Sequence, residues 1–489
     1  MASSGGTDQR TPGQPMTMMQ HMIDKGAEMM QSLKPIKQFS QHVCTFALYS
    51  HDMSRQVETH HFVHRLNEDF CQCAVYDTDD RGGRLIGVEY IISDRLFEAL
   101  PPDEQKLWHS HAFEIKSGLW MNPRVPEAVV KTELDSLAKT YGKFWCTWQV
   151  DRGDLLPVGE PALMMSPQVE PPGLVKPALV QQRDQKYNIS SERLSDLRVH
   201  IAGATFINPN ADYWKKHGKA MASSDGTPGP MPSKEDGTTP GKEMTVGQHM
   251  LDKGALMLQS FKPINKFNYH LCTFALYSHD LSRQIQTHHF MSRLNQDFCQ
   301  CAVYDSDAPS ARLIGVEYII SDKTFQTLPP DEQKLWHSHG YEIKSGLLIN
   351  PRLPEVMEKQ ELQILAKTYG KFWCTWQVDR GKNDIGSKPI LTIWIIIASL
   401  IMGINEGDKL PLGAPALMVS PQSESTVSME MVKKRDDKYE ISSENLIASR
   451  SDFSTPDTLV SYADYWKQSG KGFAIDIHTT QMKTTAPFP

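Results

Sequence analysis

KTYGKFWCTWQVDR stands at residues 139–152 and recurs, letter for letter, at 367–380. From Lys143 onward it alternates Phe144, Cys146, Trp148 and Val150 with Trp145, Thr147 and Gln149. A period of two is a strand buried on at least one side. Outward from this segment the two copies keep one register, 18–152 against 246–380, at a constant offset of 228. QHMIDKGAEMMQS at 20–32 answers QHMLDKGALMLQS at 248–260. The match resumes with EPALMMSPQ (160–168) and APALMVSPQ (414–422), and ends in ADYW at 211–214 and 463–466. So long a period excludes a solenoid. It is a duplicated domain, and each copy is large enough to bury a core.

The joint, GKAMASSDGTPGPMPSKEDGTTPGK at 218–242, is rich in Gly, Pro and Ser and has no apolar period. Within it Met221-Ala222-Ser223-Ser224 repeats the first four residues of the chain. That is either a low-complexity coincidence or the start of a second, adjacent gene copy. The expected organisation is a disordered N-terminus at 1–15, one repeat at 16–217, a disordered linker at 218–243, a second repeat at 244–472 and a tail at 473–489. Residues 381–406 have no counterpart in the first copy, and they contain ILTIWIIIASLIMGI at 390–404. That run falls short of the ~20 apolar residues needed to span a bilayer. It reads as retained intron-like sequence, a membrane-dipping insertion or a buried loop, and no transmembrane helix is expected.

Hydrophobic residues form 39% of the chain, too many for a disordered polypeptide. A net charge of −7 argues against a nucleic-acid partner. The first residues are polar, with no signal peptide, and eight cysteines suit free thiols in a reducing, cytoplasmic setting.

Residues 18–33 read as a Met-rich helix capped by Thr17 and stopped before Pro35, packing on its own domain or on a lipid or protein partner. Residues 70–76 and 85–92 read as a hairpin, 93–100 and 102–108 as short helices, and 126–141 as a helix that Gly142 would close. Antiparallel hairpins mixed with helices, without βαβ alternation, make the fold class α+β: two tandem near-identical domains.

Histidine is the unusual residue. Eighteen are present, and seven recur at equivalent places. The clusters are His60-His61 with His288-His289, and His109-Ser110-His111 with His337-Ser338-His339, followed by Glu114 and Glu342. An H-x-H on a strand puts both imidazoles on one face, which suits a divalent metal. A third ligand would come from the pair at 60–61 or, if the backbone bends, from Glu114. The alternative is histidines hydrogen-bonded in the core. Cys71 and Cys73, with Cys299 and Cys301, alternate along a strand and read as small buried hydrophobes. The sequence has no G-x-S-x-G, P-loop, H-E-x-x-H or G-x-G-x-x-G motif, so lipase and nucleotide chemistry are unsupported.

FALYSHD (46–52), THHF (59–62), RLNEDFCQCAVYD (65–77), RLIGVEYIIS (84–93) and LPPDEQKLWHSHAFEIKSG (100–118) resemble the plant oil body-associated protein family, as does the segment from 139 to 167. The resemblance covers nearly all of each copy. It implies a non-enzymatic protein on the surface of seed oil bodies that contributes to their size or stability. Its expected partner is the droplet surface, either phospholipid monolayer or droplet proteins, with peripheral attachment. No catalytic residue transfers from the family. The competing expectation is a metal-dependent enzyme acting on a small lipophilic substrate through the His-x-His site. Members usually have one domain, so the tandem copy and the 381–406 insertion are departures.

Overall fold

The computed structural model describes residues 11–168, 175–201, 207–217, 219–223, 245–379, 410–423, 426–454, 462–475, 477–481 and 483. The 381–406 insertion and most of the expected linker lie outside these. In repeat one the strands are β1 (Gln41–Tyr49), β2 (Asp52–Asn67), β3 (Phe70–Tyr76), β4 (Leu85–Ser93), β5 (His109–Ser110), β6 (Thr140–Cys146) and β7 (Ala162–Met165). They are antiparallel in the order β4-β3-β2-β1-β7-β6-β5, and β4 pairs with β6 as well. That extra pairing closes a six-stranded barrel with β5 added on β6. Closure removes the free sheet edges and sends alternate residues inward or outward.

A short strand, β8 (Lys219–Ser223), separates this barrel from its copy. Repeat two comprises β9 (Tyr269–Tyr277), β10 (Asp280–Asn295), β11 (Phe298–Tyr304), β12 (Leu313–Ser321), β13 (His337–Ser338), β14 (Thr368–Cys374) and β15 (Ala416–Val419) in the same order. Short helices cover the barrels, so the α+β class and the tandem arrangement hold. The hairpin expected from 70–92 is β3–β4, with Cys73 opposite Glu89. The helix expected to reach residue 141 ends sooner, spanning Glu127–Leu137. The chain enters β6 at Thr140, because Thr140 and Tyr141 pair with Ser93 and Ile92 while the Tyr141 ring stacks on Phe97 at 3.9 Å. Gly142 therefore sits within a strand, opposite Ile91 and His109, and is not a helix cap.

The two barrels share one continuous apolar core. Their contacts come in reciprocal pairs, as a two-fold relation requires. Leu313 N–H donates to Gln72 Oε1 (2.8 Å) and Leu85 N–H to Gln300 Oε1 (2.8 Å). Tyr90 OH donates to the Leu313 carbonyl and Tyr318 OH to that of Leu85, both at 2.8 Å. Trp376 packs on Phe70 and Tyr90, and Trp148 on Phe298 and Tyr318. Lys143 pairs with Glu104, and Glu104 accepts from Gly413 N–H of repeat two; Lys371 pairs with Glu332, which accepts from Gly159 N–H of repeat one.

The Met-rich helix Met18–Met30 is capped by Thr17, whose hydroxyl accepts from Gln20 N–H at 3.1 Å. It docks on the other repeat, not on its own. Gln31 Nε2 donates to the His270 carbonyl (2.8 Å) and its Oε1 accepts from His270 N–H (2.9 Å). Its counterpart, Val246–Leu258, reaches back in the same way, with Gln259 bonded to both backbone groups of His42. Two further segments differ from the expected ends. Residues 12–15 run beside the β10–β11 turn, where Gln14 N–H donates to Asp297 at 2.8 Å. β8 falls in the expected linker and pairs with β16 (Ile477–Gln481) in the expected tail. Lys219–Ser223 contains neither Gly nor Pro, which allows a ribbon that the Gly/Pro content further along the joint would break.

Candidate metal centre

Strand alternation decides which histidines meet. His61 on β2 lies opposite Val43 and Val75, and His60 opposite Cys44 and Tyr76, so the adjacent pair points to opposite faces. His61 turns into the barrel. His60 turns out, against His42 (3.0 Å) and Glu58 (3.1 Å). Repeat two repeats the division, with His288 against His270 and Gln286.

Inside the first barrel a carboxylate that the histidine pattern did not reveal stands at the centre. Glu89 on β4 meets His61 Nδ1 at 2.6 Å, His109 Nε2 at 3.0 Å and His111 Nε2 at 3.6 Å. In repeat two Glu317 meets His289 at 2.6 Å, His337 at 3.1 Å and His339 at 3.5 Å. All of these side chains are buried. Burial opposes ionisation of Glu89, but His61, His109 and His111 outweigh it and hold the carboxyl well below the usual carboxylate range. Glu317 responds in the same direction for the same reasons.

The backbone bends after Ser110 into the short helix Ala112–Lys116, which brings Glu114 to 3.9 Å from His111. Glu114 nevertheless turns to Thr45, whose hydroxyl donates to it. Burial pushes its carboxyl well up, and pushes Glu342 up to about 7. The expected set thus divides: His61, His109 and His111 meet on Glu89, as His289, His337 and His339 do on Glu317, Glu114 and Glu342 stand at the margin, and His60 and His288 are elsewhere. Cys73 borders the cluster as a buried free thiol.

Two hydroxyls orient the rings. His61 Nε2 bonds Thr59 Oγ1 at 2.8 Å, leaving Nδ1 toward Glu89. His111 Nδ1 bonds Thr140 Oγ1 at 2.8 Å, leaving Nε2 inward. Such outer partners are typical of ligating imidazoles. Gly142 supplies the space: a Cβ there would stand 2.4 Å from Glu89 Oε1, 2.5 Å from His111 Nε2 and 2.6 Å from His109 Nε2. The sequence did carry a signal for Glu89, a lone carboxylate in the apolar strand LIGVEYIIS. Gly142 had none, since a glycine after a helix reads first as its cap.

Fold and site define a tandem α+β barrel protein with an imidazole–carboxylate cluster sealed in each barrel. The chain belongs to the family described as "Protein of unknown function (DUF1264)", which matches residues 33–202, 261–393 and 399–454, and its relatives are plant oil body-associated proteins. Oil body-associated protein 2C of Arabidopsis thaliana is 59% identical over 221 residues, covering 45% of this chain and 93% of that protein. Oil body-associated protein 2A of Zea mays is 56% identical over 278 residues, covering 55% of this chain and all of that protein. Oil body-associated protein 1B of Arabidopsis thaliana is 43% identical over 202 residues, 41% of this chain and 83% of that protein. No solved structure matches the chain.

Proposed function

We propose that this chain is a peripheral, non-enzymatic component of the oil-body surface that contributes to droplet size or stability, and that it docks through its two Met-rich helices. The carrying observation is the inverted polarity of those helices. At 3.6 residues per turn, Gln20, Asp24, Ala27 and Gln31 form one stripe, and all four are buried against the protein. Met18, Met22 and Met29 form the opposite stripe, with Met22 66% and Met29 86% exposed. The second helix repeats this: Asp252, Ala255 and Gln259 are buried, while Met250 is 70% and Met257 87% exposed.

A surface helix normally turns its apolar stripe to the core. Here the buried stripe is mostly polar, and the methionines stand in solvent beside His21, Lys25 and Glu28; methionine is a flexible side chain that adapts to a soft apolar surface. Full burial of each would contribute about 1.5–3 kcal/mol. The names of the relatives supply the surface: oil bodies. A net charge of −7 gives no general attraction to anionic lipid, so apolar insertion must act. No helix among the described residues is long and apolar enough to cross a membrane, which suits peripheral attachment. The enzyme reading has less support, since the cavity at the repeat-two cluster measures about 20 Å³. That is room for a water or an ion, not for a lipophilic substrate.

The test uses the full chain and triacylglycerol droplets coated with phosphatidylcholine. The protein should float with the droplets in about 1 M salt, where charges are screened beyond about 3 Å, and should slow their coalescence. A variant carrying Met22→Asp, Met29→Asp, Met250→Asp and Met257→Asp should stay in the aqueous layer. Release of the parent by salt alone, or equal flotation of the variant, would overturn the proposal.

A further inference from the structure

We infer that each barrel binds one divalent transition-metal ion, held by His109, His111 and Glu89 in repeat one and by His337, His339 and Glu317 in repeat two, with His61 and His289 on the far oxygen of each carboxylate. The inference is independent of the lipid-surface reading, which concerns the helices on the outside.

Four observations carry it. The first is convergence: two imidazole nitrogens and a carboxylate oxygen, from the β5 turn and β4, stand close enough together inside a closed barrel to hold one ion, and His61 on β2 meets the other oxygen of that carboxylate. The second is incomplete pairing. His111 Nε2 is buried without a hydrogen-bond partner among the described residues, the nearest carboxylate oxygens standing 3.6 Å away on Glu89 and 3.9 Å away on Glu114. Buried polar atoms are normally satisfied, and ligands aimed at a shared ion leave this pattern.

The third observation is the point above Gly142. A Cβ there would lie 2.4–2.6 Å from Glu89 Oε1, His111 Nε2 and His109 Nε2, and at Gly370 the corresponding distances are 2.4, 2.6 and 2.7 Å. The glycine therefore lets the carboxylate oxygen and both imidazole nitrogens close together over the backbone of β6. Any larger residue would fill that space. The fourth is recurrence: ligands, orienting threonines and glycine all return in repeat two, with Thr287 on His289 and Thr368 on His339, each at 2.8 Å. The neighbouring Cys44–Glu58–His60 group does not return intact, because Gln286 stands where the carboxylate would be. The repeat preserves one cluster and not the other.

The donor set names the class of ion. Calcium and magnesium prefer oxygen ligands. Two imidazoles with one carboxylate suit zinc, iron(II), manganese(II) and their neighbours. The tightness of the barrel leaves space for an ion and a small ligand such as water.

The experiment uses untagged full-length chain, exposed separately to Zn(II), Fe(II) and Mn(II), freed of excess ion and analysed for bound metal. Two ions per chain are expected for at least one metal. His109→Ala with His111→Ala should bring this to one, and the same change at His337 and His339 as well should bring it to none. His60→Ala should leave two. Co(II) added to the unmodified chain provides a readout that no variant's folding can confound: visible d–d bands should grow to an end point of two equivalents. Less than half an equivalent of every ion in the folded parent, or undiminished binding in the fourfold variant, would overturn the inference.

Discussion

Gln31→Ala tests the exchange of helices between repeats. Gln31 Nε2 donates to the carbonyls of His270 (2.8 Å) and Pro351 (3.1 Å), and its Oε1 accepts from His270 N–H (2.9 Å). The side chain thereby completes the backbone of β9 at the strand's first residues, in a buried position. Alanine removes three hydrogen bonds and leaves the His270 N–H without its partner at a site the helix continues to cover. A buried group left unpaired costs about 1–3 kcal/mol, so the docked helix should lose about 3 kcal/mol. With a factor of ten for every 1.4 kcal/mol, its detachment equilibrium should rise on the order of 100-fold. Hydrogen exchange read by mass spectrometry on peptides covering 18–31 and 268–273 measures that change directly. Both should exchange faster, while peptides from the repeat-one barrel interior stay unchanged. Gln259→Ala should produce the mirror-image result, loosening Val246–Leu258 and the start of β1. Gln38→Ala, which breaks only a solvent-facing bond to Lys34, is the control. Unchanged exchange in Gln31→Ala, or loosening of repeat one in place of repeat two, would refute the docking.

Limited proteolysis between 224 and 243 should cut the chain without separating the repeats, and the two fragments should co-elute on gel filtration; elution as two smaller species would show that the shared core is too weak to hold them. Lys371→Met should lower stability by about 3–5 kcal/mol, because it leaves Glu332 buried without its cation. Adding Glu332→Met should recover part of that loss in urea unfolding, and no recovery would argue against an uncompensated charge as the cause. Asp307 is partly buried, which opposes its ionisation, but the Lys438 hydrogen bond and nearby His288 hold its carboxyl down at about 2, against an ordinary 3.8. A depressed carboxylate contributes stability above its unfolded value and loses it as pH falls toward the folded one. Lys438→Met should therefore be less stable than the parent at neutral pH, and the gap should narrow as the pH falls from about 4 to about 2. A gap independent of pH would exclude the ion pair as its source.

The local elements were legible because local physics specifies them. Thr17 and Gln20 close a capping box whose residues are neighbours in sequence. The polar link between 76 and 85 demands a hairpin, and the β3–β4 pairing supplies it. The repeat announced two like domains, since identical segments in identical order fold alike. Half of the site was legible in the same way: a histidine pair followed by an H-x-H signals imidazoles in reach of one another, and His61, His109 and His111 all meet Glu89. The reading stopped where direction mattered. His60 and His61 look equivalent in a string of letters, but adjacent strand residues face opposite sides, and only the pairing of β2 with β1 and β3 determines which one faces in.

Glu89, Gly142 and the exchanged helices needed the tertiary structure for a shared reason. Glu89 reaches His109 and His111 because β4 pairs with β6 as well as with β3, so that the sheet closes on itself, a property of strand order that no window of sequence contains. Gly142 acquires its role from atoms at positions 89, 109 and 111, brought over it by that closure. The helix at 18–30 has the same composition whichever repeat it meets. It docks on the second because Gln31 pairs with the open backbone groups of His270 and Asp24 lies 3.6 Å from Arg293. The sequence by itself determined the strands, the caps and the duplication, which depend on neighbours along the chain. The closed barrel, the buried cluster and the outward methionines depend on contacts between residues far apart in sequence, and those exist only once the chain has folded.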